Sequence, residues 1–144
     1  MKPVKMFPIL LLCMLQFTFS FGQSSQKDSV SIIVIALAKG NTYDETFTTG
    51  FAGSISKQFR LSEKLVLAAT EQQLRDLTEH SNPVVRLYAY QALKRKNLII
   101  PARILERFVN DSATITVIRG CILQKQQVRY GIRHKLISPY SKTR

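Results

Sequence analysis

The segment that decides the predicted fold is NPVVRLYAYQAL, residues 82–93. Asn82 can cap a helix, and Pro83 suits the first helical position because its missing N–H would have no partner there. Apolar residues then recur at helical spacing and form one stripe, which consists of Val85, Tyr88, Ala89, Ala92 and Leu93. The segment is therefore predicted to be an amphipathic helix.

A shorter helix is predicted just before this segment. Thr70 and Gln73 match a capping box, in which a hydroxyl caps the helix and a glutamine three residues on bonds back to the cap. Leu74 and Leu77 share one face, and the polar pair at 80–81 ends the helix. Two short amphipathic helices joined by a tight polar turn make an αα-hairpin.

Residues 70–97 resemble a HEAT repeat, of the kind found in small exported helical proteins. The family pattern has Asp or Asn, then Pro, Val-Arg, an Ala three residues on and Ala-Leu, and residues 82–93 match it. The resemblance implies an all-α fold in which short HEAT-like hairpins form one compact domain. It also implies that the protein binds a protein partner. Arg86 stands where the family places an arginine that often bridges neighbouring turns, so we expect a structural role, with a partner contact as the alternative.

The chain on either side of the hairpin is less regular. Pro101 begins a further predicted helix, whose apolar face consists of Ile100, Ile104, Leu105 and Phe108. After Asp111 the family pattern fails, and β-branched residues over 113–118 leave helix and strand open for 113–125. The apolar run 28–38 is equally ambiguous, although its ends favour a helix. Residues 54–59 and 62–69 are predicted as two short helices.

The sequence divides into four segments. Residues 1–22 combine a lysine-containing start, an apolar run and a small-x-small site, so they predict an exported protein with a signal peptide cleaved after Gly22. The alternative is that the segment stays uncleaved as an anchor. Residues 23–53 are predicted to be a helix followed by a long Thr- and Gly-rich loop from residue 40. Residues 54–125 form the predicted helical domain, and 126–144 form a basic C-terminal tail.

Few residue patterns point to catalysis. Once the signal peptide is removed, Cys121 is the one remaining cysteine, so no internal disulfide can form. Pairing Cys121 with His134 as a nucleophile and base has no supporting motif, and a buried thiol is expected. The two histidines and scattered carboxylates offer no convincing zinc site. The sequence therefore predicts no enzyme activity, cofactor or metal.

The charge indicates a binding role. The formal net charge is +12 at pH 7, and no acidic residue follows Asp111. The predicted partner contacts lie on the HEAT-like helix and at its end; they are Arg86, Tyr90, Lys94, Arg95 and Lys96. A protein partner is the main prediction, and the alternative is electrostatic binding to an anionic membrane surface or polymer outside the cytoplasm. Sequence-specific nucleic-acid binding is not expected, because no recognition module is present. The oligomeric state and the partner's identity stay open.

Overall fold

A computed structural model describes residues 19–49 and 53–137 of the 144-residue chain. Along this part of the chain, one helix, two strands, four helices, two strands and a last helix follow one another. The helices are α1 (Phe19–Gly40), α2 (Lys57–Ala68), α3 (Glu71–Leu77), α4 (Pro83–Arg95), α5 (Ala102–Asn110) and α6 (Val128–Ile137). The strands are β1 (Thr42–Thr49), β2 (Ser54–Ile55), β3 (Thr114–Gly120) and β4 (Ile122–Gln127). The predicted signal peptide lies outside the described residues, except that residues 19–22 begin α1. No helix in the described ranges is long and apolar enough to cross a membrane.

The predicted all-α fold is wrong, because the chain forms a mixed sheet in addition to its helices. The strand order is β2-β1-β3-β4, in which three longer strands carry a two-residue edge strand. β1 pairs parallel to β3, and the other two pairings are antiparallel. The fold therefore belongs to the mixed α/β class.

Both strands of the parallel pair lie where the sequence was ambiguous or was assigned to a loop. β1 occupies most of the predicted loop at 40–53, and its Thr, Tyr and Phe residues suit a strand. β3 resolves the choice at 113–125 in favour of a strand, and its alternate residues Ile115 and Val117 face the core. Gly120 then takes a φ of +59° in the turn to β4, a conformation that glycine adopts without steric cost.

The two ends of the described chain are helical. The ambiguous run at 28–38 lies within α1, which buries Val30, Ile33, Val34 and Leu37 on one face. Within the predicted C-terminal tail, 126–144, residues 126–127 end β4 and residues 128–137 form α6. Val128 and Ile132, four residues apart, lie on the same face of α6 and are buried in the core.

The predicted αα-hairpin is confirmed in its local geometry. Thr70 Oγ1 accepts a hydrogen bond from the Gln73 backbone N–H at 3.3 Å, and Gln73 Oε1 accepts one from the Thr70 N–H at 2.9 Å. Asn82 Oδ1 accepts from the Val84 N–H at 2.8 Å and begins α4. Each cap satisfies backbone donors that have no partner within the helix. Side-chain chemistry within four residues therefore fixes where both helices start.

α4 lies at the centre of the molecule. Eight of its thirteen residues are buried, which exceeds the single face that a surface helix hides. It packs against α1, α2, α3 and both strands of the parallel pair. Tyr88 contacts Tyr43 of β1 with ring centroids 5.0 Å apart, and Tyr90 contacts Phe108 of α5 at the same distance. The helix that resembles a HEAT repeat is thus a core helix.

Candidate binding surface

Arg86 holds three parts of the chain together. Its Nε and Nη2 donate to Asp111 Oδ2 at 3.1 and 2.7 Å, and its Nη1 donates to the carbonyls of His80 and Ser81 at 2.9 Å. The Arg86 side chain is 14% exposed and that of Asp111 is 10% exposed. Arg86 therefore joins α4 to the turn before it and to the end of α5, which is the structural role expected for it.

The predicted contact role of Tyr90 is wrong, because the residue is only 3% exposed. On a helix, Tyr88 and Tyr90 point about 200° apart, so one of them would face solvent if only one side of α4 were covered. Here β1 covers the first ring and α5 covers the second. Burial also raises the pKa of the Tyr90 hydroxyl above its ordinary value, so it stays neutral.

The basic cluster at the end of α4 also makes internal contacts. Arg95 forms an ion pair with Glu63 of α2, and Lys96 Nζ donates to the Ala69 carbonyl at 2.6 Å. The Lys94 side chain forms no hydrogen bond or ion pair with any residue in the described ranges, although its carbonyl accepts from the Asn97 N–H at 3.0 Å. Two of the three predicted contact cations thus tie α4 to the segment around α2.

A different basic surface lies on α2. Lys57, Arg60 and Lys64 are all exposed and follow one another at spacings of three and four residues, so they share one face. Leu67 continues the same face and is 83% exposed. We call these four residues the α2 stripe. The opposite face of α2 is buried and consists of Gln58, Ser62 and Leu65.

The cations of the α2 stripe have no acidic partner among the described side chains. Every ion pair in these ranges uses an arginine elsewhere; the pairs are Arg75–Glu71, Arg86–Asp111, Arg95–Glu63, Arg103–Glu79, Arg107–Glu79 and Arg119–Glu45. Lys57 and Arg60 also lie in the first turns of α2, at its partially positive end. Their charges add to the helix dipole, so this end of α2 carries an uncompensated positive potential.

α1 places apolar side chains in solvent beside this region. Ile32 is 67% exposed, Ile35 is 66% exposed and Lys39 is exposed, and their spacing puts them on one face, which we call the α1 stripe. α1 packs against α2, and Gln58 Nε2 donates to the Leu37 carbonyl at 3.2 Å. Gly40 has no side chain, so it lies directly against Gln58, where a Cβ would overlap the amide. This close contact holds the end of α1 beside the start of α2.

A second exposed feature is the edge of the sheet. Within the described residues β4 pairs on one side only, with β3. Ile122 and Leu123 at its start are both exposed. Cys121, predicted to be buried, is exposed in the turn that precedes them. An open edge with apolar side chains can add a strand from another chain.

Charged side chains line several clefts of the described surface. A cleft of about 380 Å³ lies beside Arg86 and is also lined by His80, Arg107 and Asp111. His80 Nδ1 accepts from the Asn82 backbone N–H at 3.0 Å, Arg86 pairs with Asp111, and Arg107 pairs with Glu79. In residues 19–49 and 53–137 no three His, Cys, Asp or Glu side chains come together as metal ligands would. The polar groups of this cleft therefore serve mainly to hold the fold.

Comparison with protein-family models, with curated proteins and with solved structures finds no match to this chain. The resemblance of residues 70–97 to a HEAT repeat therefore stays a hypothesis.

The prediction of two short helices at 54–59 and 62–69 is wrong, and this division hides the α2 stripe. In the structure Ser56 caps one continuous helix by accepting from the Phe59 N–H at 3.2 Å. The signal was a serine followed by cations at positions 57, 60 and 64. Read as a single helix, these positions predict one basic face.

Proposed function

We propose that this protein is an exported, non-enzymatic binding module that holds an anionic partner on the α2 stripe. The observation that supports this proposal is the set of three exposed cations, Lys57, Arg60 and Lys64, in helical register and without an ion pair. Like charges at three- and four-residue spacing destabilise a helix by a few tenths of a kcal/mol per pair. An anionic partner removes this repulsion and replaces it with attraction.

The energetics favour a partner with many negative charges. Exposed cations near an anionic surface contribute about 1 kcal/mol each, so the three together contribute about 3 kcal/mol. This corresponds to on the order of a hundredfold in affinity. Screening acts over about 8 Å at physiological ionic strength, so binding is expected to weaken as salt rises.

A protein partner is the second candidate, and the edge strand β4 favours it. An extended segment of a partner can pair with the free backbone of β4, while Ile122 and Leu123 supply apolar contact. Such binding depends on main-chain hydrogen bonds and apolar burial. It would therefore survive at salt concentrations that release a partner from the α2 stripe.

The test compares two variants of equal net charge. In the first, Lys57→Gln, Arg60→Gln and Lys64→Gln remove the cations of the α2 stripe. In the matched control, glutamine replaces three lysines elsewhere, at positions 27, 94 and 125. Binding to fluorescent dextran sulfate is measured at low and high salt.

We expect the stripe variant to bind on the order of a hundredfold more weakly than the unchanged protein, and the control only a few-fold more weakly. Equal losses in the two variants would show that net charge, and not the α2 stripe, holds the anion. Full binding by the stripe variant would overturn the proposal and favour the second candidate, a protein partner at β4.

A further inference from the structure

We infer, building on the proposed function, that the anionic partner is the surface of a lipid bilayer. In this arrangement the cations of the α2 stripe contact anionic headgroups, and apolar side chains of the α1 and α2 stripes insert between them. The inference rests on a feature that charge alone does not require. The same region that carries unpaired cations also holds three large apolar side chains in water, at positions 32, 35 and 67.

The α2 stripe joins the two kinds of side chain on one helix face. Leu67 follows Lys64 by three residues, so it lies on the same side of α2 as the cations. Basic side chains beside exposed apolar residues are typical of helices that lie in the membrane interface. The aliphatic stems of Lys57 and Lys64 can lie along the acyl boundary while their charges reach the headgroups.

The α1 stripe extends the apolar area. Ile32 and Ile35 lie opposite the core-facing residues of α1, and Lys39 follows them at the end of the helix. Lys39 neighbours Gly40 and Lys57 neighbours Gln58, and Gly40 lies directly against the Gln58 side chain. The end of α1 that carries Lys39 therefore lies beside the start of α2 that carries Lys57.

A soluble polyanion would not account for these apolar side chains. Sulfate or phosphate groups on a hydrated polymer attract cations but provide no apolar phase. A bilayer provides both, since its headgroup region borders the acyl chains. Complete burial of a single Leu or Ile side chain corresponds to more than a tenfold change in affinity. The apolar residues thus distinguish a membrane from a polymer.

The experiment uses the chain as it is recovered from the cell, with the same N-terminus in every variant. The apolar variant carries Ile32→Gln, Ile35→Gln and Leu67→Gln. Its matched control carries Ile55→Gln, Ile99→Gln and Tyr130→Gln, which replace three exposed apolar residues outside the stripes. Binding is measured by co-sedimentation with phosphatidylglycerol vesicles, with phosphatidylcholine vesicles and with dextran sulfate. Circular dichroism checks that each variant is folded.

We expect the unchanged protein to bind phosphatidylglycerol vesicles and not phosphatidylcholine vesicles. The apolar variant is expected to lose about tenfold or more of its vesicle binding while it binds dextran sulfate unchanged, and the control is expected to bind both like the unchanged protein. Unchanged vesicle binding by the apolar variant would overturn the inference and leave the proposed function in place. If the variant that lacks the α2 cations bound both the phosphatidylglycerol vesicles and dextran sulfate like the unchanged protein, the proposed function itself would be overturned.

Discussion

Replacing Arg86 by methionine is expected to destabilise the protein strongly. The change removes four hydrogen bonds, two to the Asp111 carboxylate and two to the carbonyls of His80 and Ser81. Methionine fills much of the same volume but has no donor, so the 10%-exposed carboxylate would lose its counter-charge. Removing one partner of a buried ion pair typically costs about 3–5 kcal/mol. That is a large part of the ~5–15 kcal/mol that stabilises a domain.

The assay is urea unfolding followed by far-ultraviolet circular dichroism. Arg103→Met is the matched control, because Arg103 also pairs with a carboxylate, Glu79, but its side chain is 85% exposed. Exposed ion pairs contribute about 0–1 kcal/mol, so this variant should unfold close to the unchanged protein. Adding Asp111→Asn to Arg86→Met removes the unpaired charge, and we expect it to restore about 1–3 kcal/mol.

Two outcomes would contradict a structural role of the Arg86–Asp111 ion pair. If Arg86→Met and Arg103→Met lost the same small free energy of unfolding, the Arg86–Asp111 pair could not be desolvated as its exposure indicates. If Arg86→Met also lost binding to a partner while it kept its stability, Arg86 would be the partner contact that the sequence offered as its alternative role.

Three further variants test the packing around α4. Tyr88→Phe is expected to cost about 1–3 kcal/mol, because the Asp44 backbone N–H would lose its acceptor, the Tyr88 hydroxyl 2.9 Å away. Asp44→Asn is expected to stabilise the protein at neutral pH. Burial raises the pKa of the Asp44 carboxyl, so the folded chain binds this proton more tightly than the unfolded chain does. The unchanged protein therefore loses stability as pH rises above about 4, and the asparagine variant does not. Phe108→Ala is expected to cost about 3–5 kcal/mol, because the fully buried ring packs against Tyr90.

Urea unfolding measures all three variants, and the Asp44 variant is compared with the unchanged protein at acidic and neutral pH. Tyr130→Phe serves as the control for Tyr88→Phe, since Tyr130 is exposed. A Tyr88→Phe protein as stable as this control would contradict the role given to the hydroxyl. A stability difference between Asp44→Asn and the unchanged protein that did not vary with pH would contradict the titration argument.

The sequence predicted the local features of the fold well. The caps at Thr70 and Asn82 and the apolar stripe of α4 depend on residues three or four positions apart, and the structure confirms them. The helix begun by Pro101 is also confirmed, and its apolar residues too are three or four positions apart. Interactions of this range are encoded in short segments, so a single sequence reveals them.

The site was less accessible from the sequence. The spacing of Lys57, Arg60 and Lys64 can be read locally once α2 is taken as one helix. Which cations remain unpaired cannot be read in this way. Arg95 finds Glu63, and Arg119 finds Glu45, across gaps in sequence that give no pattern. Only the structure therefore distinguishes the cations that form ion pairs inside the fold from those that form none in the described part of the chain.

By itself, the sequence determined the capped αα-hairpin, the helix after Pro101 and the strongly basic character of the chain. The tertiary structure decided the rest of the fold. Thr42 of β1 pairs with Thr116 of β3, and a strand remains ambiguous in sequence until its distant partner satisfies its backbone. The same sheet covers one side of α4 while α5 covers the other. Tyr90 is consequently a core residue, because what surrounds a helix decides which of its faces meets water.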